Sequence, residues 1–446
     1  MGSEMCIRDR SGSLWGSGVL AQHHPPSRRG HGTRRPGVRV PGRDRRLRTG
    51  GVRLRGFPPA MNTVPDSMTA LHLVGNGGPE KLVLRHDVPV PVPAADEVLV
   101  RVRACAMNNT DVNTRVGWYS KSVTGATATE GFTDDKSVGD VAEDAAWGGS
   151  GLTFPRIQGA DPCGEVVAVG EKADPDLVGR RVLADGWIRD VADPSDRSKA
   201  GYLGSERDGG YAQYCAIPVR NVYPVDPVDG PPLDLTDVEL ASFPCSWATA
   251  EHMLTRPSVG PDDTVVVTGA SGGVGSARVQ LARLRGARVV AITAASKFDA
   301  LYSIGADICV DRDSGNLASA VAEAAAGLSG GSGASPGRVD VLADVVGGPD
   351  FVPLLEVLSR GGRYTTAGAI AGPIVDLDLR TLYLNDLDLY GCTVYEPPVF
   401  DALMGYIKRG EVRPVVAASW PLADFHAAQK AFTAKSHVGA MVVEIP

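Results

Sequence analysis

The chain has 446 residues, 43% of them apolar and 22% charged, and a formal net charge of −7. That length suffices for two or three domains with a large core, and the acidic balance argues against nucleic acid as a partner. No run reaches the ~18 apolar residues that a membrane-spanning helix needs. Seven cysteines are scattered without any Cys-x-x-Cys pair, a usage that fits free thiols in a reducing cytoplasm better than a disulfide framework.

Residues 1–60 are compositionally foreign to the rest. They hold 13 Arg, no Lys and only Glu4, Asp9 and Asp44 as acids, a net +10 that leaves −17 for the remainder. With scattered Gly and Pro and no sustained apolar period, the segment lacks the means to fold alone. A basic nucleic-acid arm or an Arg-rich transit peptide would share this composition. The opening MGSEMCIRDR, however, resembles a translated adapter fragment fused to unrelated sequences. The expectation is a disordered or non-native segment, with the protein proper starting at Met61 or Met68.

From Met68 to about Pro227 the signals are short strands and turns. Residues 97–103 (EVLVRVR) alternate apolar and charged positions, as a half-buried strand does. Residues 163–170 and 179–183 read as further strands bounded by Gly, and 209–214 lead into another, which together predict a partly closed β-barrel. The polar, Gly/Thr/Asp-rich insert at 119–155 has no clear period and reads as a disordered loop or a lid.

Near Leu235 the texture changes. Residues 237–253 are helical in pattern, and strands then recur at 265–267, 287–292, 307–310, 339–345, 362–366 and 387–394 with helices between them. Such βα alternation predicts a doubly wound, α/β Rossmann domain. The Gly/Ser/Ala run at 327–337 reads as a flexible surface loop. A helix at 399–409 and alternating residues up to Val443 predict a return to the first domain. The expected division is therefore a barrel-like catalytic domain over 61–227 and 396–446, and a dinucleotide-binding domain over 228–395.

The chemistry starts at residues 265–276 (VVVTGASGGVGS). Three valines make a buried strand, and a glycine-rich turn then opens into an apolar-periodic helix. Gly269, Ala270, Ser271, Gly272, Gly273, Val274 and Gly275 form a turn whose backbone N–H groups can cradle phosphate at the positive end of the helix. Against G-x-G-x-x-G the run departs only at Ala270, and the strand at 287–292 closes a βαβ unit of about the expected ~30 residues. The bland alternative is a packing turn without ligand. An NAD site places a carboxylate near the end of the second strand. Here that end reads Thr293-Ala294-Ala295-Ser296-Lys297, two hydroxyls and an ammonium that suit a 2′-phosphate. NADPH is expected rather than NADH, unless Lys297 is only a solvated helix-start lysine. Asp344 closes a sheet strand at the carboxyl edge where ligands bind, or else caps the following turn.

The order of barrel, Rossmann unit and short return resembles the medium-chain dehydrogenase/reductase superfamily from about Met68 to Pro446. The stretches that carry the resemblance are VLVRVRACAMNNTD (98–111), IQGADPCGEVVAVG (157–170), GGYAQY (209–214), TGASGGVG (268–275), VDVLADVVGG (339–348) and RGGRYTTAG (360–368). The branch it looks most like is the zinc-free, quinone-oxidoreductase-like reductases, which have a GroES-like barrel and take NADPH. Residues 268–275 also fit the short-chain dehydrogenase pattern, but no tyrosine here has Lys four residues later and the motif lies too far along the chain.

In the zinc enzymes of the superfamily, catalytic metal is held by a Cys, the His of a Gly-His-Glu and a second Cys. This chain has Asn108 at the first position and Ala160-Asp161 in place of His-Glu, with Cys245 standing at the last. One soft ligand cannot hold zinc, and a rearranged Asp161, Cys163, Cys245 set is the alternative. The stretch 184–209, where the structural zinc lobe would fall, contains no cysteine. The expectation is a metal-free site. The resemblance further implies that Asn108 and Thr110 act as donors to the substrate oxygen, with Asp111 orienting their turn. It puts Thr249, Gly368, Ala369 and Ile370 near the nicotinamide end, and implies a homodimer paired through the Rossmann sheet edge. Trp118 and Tyr119 read as an apolar wall for a flat substrate, or as ordinary core. The expected activity is NADPH-dependent, zinc-independent reduction of a quinone or α,β-unsaturated carbonyl. An alcohol dehydrogenase with an altered zinc site and an NADPH-binding protein without turnover are the alternatives.

Overall fold

The computed structural model describes residues 64–127, 146, 151–328 and 337–446. The Arg-rich segment, most of the 119–155 insert and most of the 327–337 run lie outside the described residues.

The first domain contains β1 (Ser67–Leu73), β2 (Leu82–Pro89), β3 (Glu97–Ala106), α1 (Asn109–Val116), β4 (Arg156–Ile157), β5 (Pro162–Val169), β6 (Arg181–Ala184), β7 (Trp187–Ile188), β8 (Gly201–Tyr202), β9 (Tyr214–Pro218) and β10 (Val222–Pro224). Strand β3 is its centre. The alternation of EVLVRVR leaves Val98, Val100 and Val102 without solvent exposure, and its edges pair with β5 and β9, both antiparallel.

The second domain begins with α2 (Asp237–Ala241) and α3 (Pro244–Thr255). The periodicity of 237–253 predicts one helix; the structure breaks it, because Pro244 has no N–H with which to continue α2 and starts a new helix at its first position instead. Then follow β11 (Thr264–Val267), α4 (Gly273–Leu284), β12 (Arg288–Thr293), α5 (Phe298–Ser303), β13 (Ile308–Asp311), α6 (Leu317–Gly327), β14 (Val341–Asp344), α7 (Phe351–Glu356), β15 (Arg363–Thr366), α8 (Leu379–Leu384) and β16 (Asp388–Gly391). The six strands form one parallel sheet in the order β13-β12-β11-β14-β15-β16. The order reverses between β11 and β14, which opens a crevice beyond their carboxyl ends, the place where sheets of this kind take a ligand.

The chain closes with α9 (Pro397–Lys408), β17 (Val416–Pro421), α10 (Phe425–Thr433) and β18 (Ala440–Glu444). Helix α9 falls in the segment that the sequence assigns to the barrel, yet its apolar face packs on α3. The return to the barrel therefore comes only at β17. Strand β18 then lies antiparallel beside β3, so the last strand of the chain is built into the barrel sheet between β3 and edge strand β17.

One buried cation ties the sheet together at the crevice. Arg278, on α4, is fully buried and donates to the carbonyls of Ala343 at 2.5 Å and Thr268 at 2.7 Å. Burial lowers its guanidinium to about 10. Arg278→Leu would orphan the Thr268 carbonyl and leave that of Ala343 only the Thr268 amide, and should cost about 2–4 kcal/mol. Arg283→Leu on the exposed face of the same helix, which loses only an ion pair with Asp307 at 3.2 Å, should cost under ~1 kcal/mol. Urea unfolding of both variants checks the contrast; equal losses would contradict it.

Candidate active site

The crevice holds a cavity of about 400 Å³ between the sheet ends and the barrel. Its floor is the glycine-rich turn. Gly269 takes φ +53°, and a Cβ on Gly275 would lie 2.1 Å from the Gly269 carbonyl oxygen, so neither position tolerates a side chain without distortion. Over Gly272 the nearest atom to an added Cβ is 3.7 Å away, and no side chain caps α4. First-turn amides of a helix without a side-chain cap, beneath open space, are what a dinucleotide pyrophosphate needs. Gly269, Ser271, Gly272, Gly273, Val274 and Gly275 all line the cavity. Ala270 does not: it is buried and its N–H donates to Ile292 at 3.1 Å.

The groups after β12 divide. Lys297 lines the cavity, whereas Thr293 is buried behind it and Ser296 is exposed outside it. The Lys297 ammonium donates to the carbonyls of Lys435 (2.8 Å) and His437 (2.9 Å) and to Ser271 Oγ (3.3 Å). Burial, and then Arg312, hold its pKa below the ordinary lysine value. Arg312, just past β13, and Lys435 also face the cavity. Lys435 reaches Asn109 Oδ1 at 2.7 Å and lies over the Phe432 ring at 3.7 Å; burial and the nearby Lys297 charge bring it down to about 7. Sequence reasoning misses Lys435 because only the fold brings it to a turn more than 150 residues earlier. Arg312 carried a usable signal, a cation just beyond the carboxyl end of the neighbouring parallel strand.

Asp344 is absorbed by the fold. It accepts from the Thr268 and Tyr364 hydroxyls (2.6 and 2.9 Å) and from the amides of Val346 and Gly347 (2.8 and 3.1 Å), and does not line the cavity. Thr249, Gly368, Ala369 and Ile370 do line it.

The opposite wall is the start of α1. Asp111 accepts from the Asn108 amide N–H and from Tyr211 Oη, both at 2.8 Å, which fixes the turn; burial raises its carboxyl to about 6 against those donors. Asn108 Nδ2 donates to Asp161 Oδ2 at 2.8 Å, and Asn108 Oδ1 accepts from Ser246 Oγ at 3.1 Å. Asp161 also accepts from the Cys245 N–H at 2.8 Å, and its burial raises it to about 8. Thr110 Oγ1 accepts from Tyr119 Oη at 3.0 Å; burial pushes the Tyr119 phenol up to about 12, so it stays protonated. Tyr119 is therefore a polar member of the site rather than an apolar wall. Trp118, Trp187, Tyr202 and Cys245 complete that end of the cavity. Burial, and then Asp161, push the Cys245 thiol well up, so it remains neutral.

The residues weighed as a rearranged metal set do not assemble. Both Asp161 oxygens are taken by N–H donors, and Cys163 Sγ faces Asp237 at 3.9 Å. Among the described residues, no three His, Cys, Asp or Glu side chains are grouped so as to hold a metal ion. A nicotinamide dinucleotide fits the glycine turn; a catalytic zinc does not fit this donor set.

Comparison with known proteins agrees with this architecture. Residues 94–227 match the family model for the alcohol dehydrogenase GroES-like domain, and residues 273–409 match that for zinc-binding dehydrogenase. The solved structure of a candidate alcohol dehydrogenase from Sinorhizobium meliloti 1021 is 46% identical, with a TM-score of 0.73 over 86% of this chain and 98% of that one. The quinone oxidoreductase of Lama guanicoe is 25% identical, covering 84% of this chain and 97% of its own. An NAD-dependent alcohol dehydrogenase of Sulfurisphaera tokodaii is 24% identical over 80% and 93%. Two domain models in the right order, and a near-complete overlap with a relative of almost half-identical sequence, leave one assignment: the chain belongs to the medium-chain dehydrogenase/reductase superfamily, is quinone-oxidoreductase-like, and is an oxidoreductase that works with a nicotinamide cofactor.

Proposed function

We propose that the protein is an NADPH-dependent, metal-independent reductase of quinones or α,β-unsaturated carbonyls. The observation that carries the reading is the Tyr119–Thr110 pair. Because Thr110 Oγ1 accepts from Tyr119, its own proton is free for an acceptor in the cavity. When bound, the nicotinamide supplies a hydride. An enone or quinone is electrophilic without a Lewis acid and carries the arriving charge out to its oxygen. Preorganised donors suffice there, each worth a few kcal/mol. Thr110 donates a hydrogen bond to that oxygen, backed by the Tyr119 hydroxyl, and the proton that completes the addition of hydride and proton is drawn from solvent. Asn108 has a second amide hydrogen beyond the one given to Asp161, and offers it to the same oxygen. The aromatic side chains exclude water, which strengthens both contacts.

The altered-zinc alcohol dehydrogenase remains the second reading, and the donor set above counts against it. For the cofactor, Lys297 and Arg312 beside a strand end without a carboxylate favour the 2′-phosphate of NADPH. Homodimerisation is proposed through edge strand β16, where Leu389 is exposed, together with the preceding α8, where Leu379, Tyr383 and Leu384 are exposed. Among the described residues no helix is long and apolar enough to cross a membrane, and all six cysteines are free; a cytoplasmic setting suits them.

Thr110→Val should lower kcat/KM for a small enone by ten- to a thousandfold, about 1.4–4 kcal/mol, with NADPH affinity unchanged. Tyr119→Phe should lower it less. Undiminished turnover in folded Thr110→Val would remove the donor role. NADPH should bind at least tenfold tighter than NADH, or about 1.4 kcal/mol. In fluorescence titrations Arg312→Ala should erode that ratio and spare NADH. Lys297→Ala should weaken both cofactors, because it also releases the chain end from the glycine turn. Equal affinities in the wild type would refute the NADPH assignment.

A further inference from the structure

A buried hydrogen-bond chain crosses the crevice behind the Asn108 amide. It runs from the Cys245 N–H to Asp161 Oδ1 (2.8 Å), from Asn108 Nδ2 to Asp161 Oδ2 (2.8 Å), and from Ser246 Oγ to Asn108 Oδ1 (3.1 Å). Asp161 is wholly buried, and Asn108 and Ser246 are 7% and 6% exposed. Its members come from three places. Asp161 immediately precedes β5, Asn108 caps α1, and Cys245 and Ser246 lie in the first turn of α3. Phe243 at the head of α3 provides no side-chain cap, so an acid from the other domain satisfies a first-turn amide that the helix leaves open. Ser246 also abuts the cofactor cradle: a Cβ on Gly273 would lie 2.7 Å from Ser246 Oγ.

The chain has a direction. The Cys245 amide is fixed backbone and can only donate, so one Asp161 oxygen must accept from it. Its other oxygen accepts as well, from the Asn108 NH₂, which leaves the Asn108 carbonyl turned toward Ser246. We propose that Asp161 is a positioning residue: by capping α3 from across the crevice it locks the orientation of the Asn108 amide, and through Ser246 sets that amide against the start of the cofactor cradle. The inference rests on the reductase reading for its effect on turnover, but the amide orientation does not depend on that reading.

Asp161→Asn separates the positioning role from a merely structural one. Its carbonyl still accepts from Cys245, and its NH₂ must then face Asn108, whose amide turns to present the carbonyl. All three bonds survive, the one from Cys245 in its original sense and the other two reversed. The expected result is a melting midpoint and an NADPH Kd close to wild type, KM for the enone within about twofold, and kcat reduced at least tenfold, ~1.4 kcal/mol. Ser246→Ala, which frees one end of the amide, should lose less. The orientation is read without turnover in protein carrying 15N only in asparagine. The Asn108 side-chain amide resonance, identified by its absence from Asn108→Ala, should move in Asp161→Asn. Wild-type kcat in folded Asp161→Asn, or an unmoved resonance, would overturn the proposal. Parallel loss of stability, NADPH affinity and kcat would overturn it too, in favour of a structural role. If wild-type protein binds NADPH but reduces no quinone or enone, the reductase reading fails while the resonance still decides the amide's orientation.

Discussion

The site exists because the end of the chain lies across the glycine-rich turn. Gly439 donates its N–H to the Ser271 carbonyl at 2.8 Å and forms an isolated bridge with Gly272. Lys297 clamps the same segment from the other side through the carbonyls of Lys435 and His437. Gly439 adopts φ +89°, and a Cβ there would lie 2.0 Å from the Val415 carbonyl oxygen, so the crossing requires that residue. One residue later β18 enters the barrel sheet beside β3. The cofactor cradle and the strand leading to Asn108 and Thr110 are thus joined by a few residues of backbone, which fixes the cavity between them.

The cavity is electrostatically divided, and the division matches the chemistry required of it. Lys297 and Arg312 gather at the end where an anionic dinucleotide would lie, with Lys435 reaching from there to Asn109 on α1. Neutral donors and aromatic rings make up the other end. The two carboxyl groups near the donors, Asp111 and Asp161, are both buried, and burial raises both. Each is surrounded by N–H or O–H donors of the protein, so their task is to hold geometry. That leaves the hydroxyl of Thr110, backed by the protonated Tyr119, and the second amide hydrogen of Asn108 to meet substrate charge.

What the sequence revealed follows from range. The β11–turn–α4 unit is local: valines, glycines and an apolar period within twenty residues set its geometry, so the cradle and the doubly wound sheet were legible. Alternation in 97–103 revealed the barrel's central strand for the same reason. The chain end over the turn, the Asp161 contact with Cys245 across 84 positions of sequence, and Lys435 beside Asn109 were not legible, because no local pattern marks a contact made only by the closed fold. Tyr119 was half legible. Its apolar ring announced a wall, but whether its hydroxyl met Thr110 or solvent depended on how α1 and its following loop were placed. Asp344 shows the converse: a carboxylate at a ligand-bearing sheet edge that four protein donors claim first.

The central claim is reduction without metal, supported by donors the chain itself holds. It is tested most directly by stripping purified protein with a strong chelator, measuring residual zinc by elemental analysis, and following NADPH oxidation with a small quinone. The account predicts undiminished turnover at far below one zinc per chain. Activity that disappears with the metal and returns when zinc is added would contradict it.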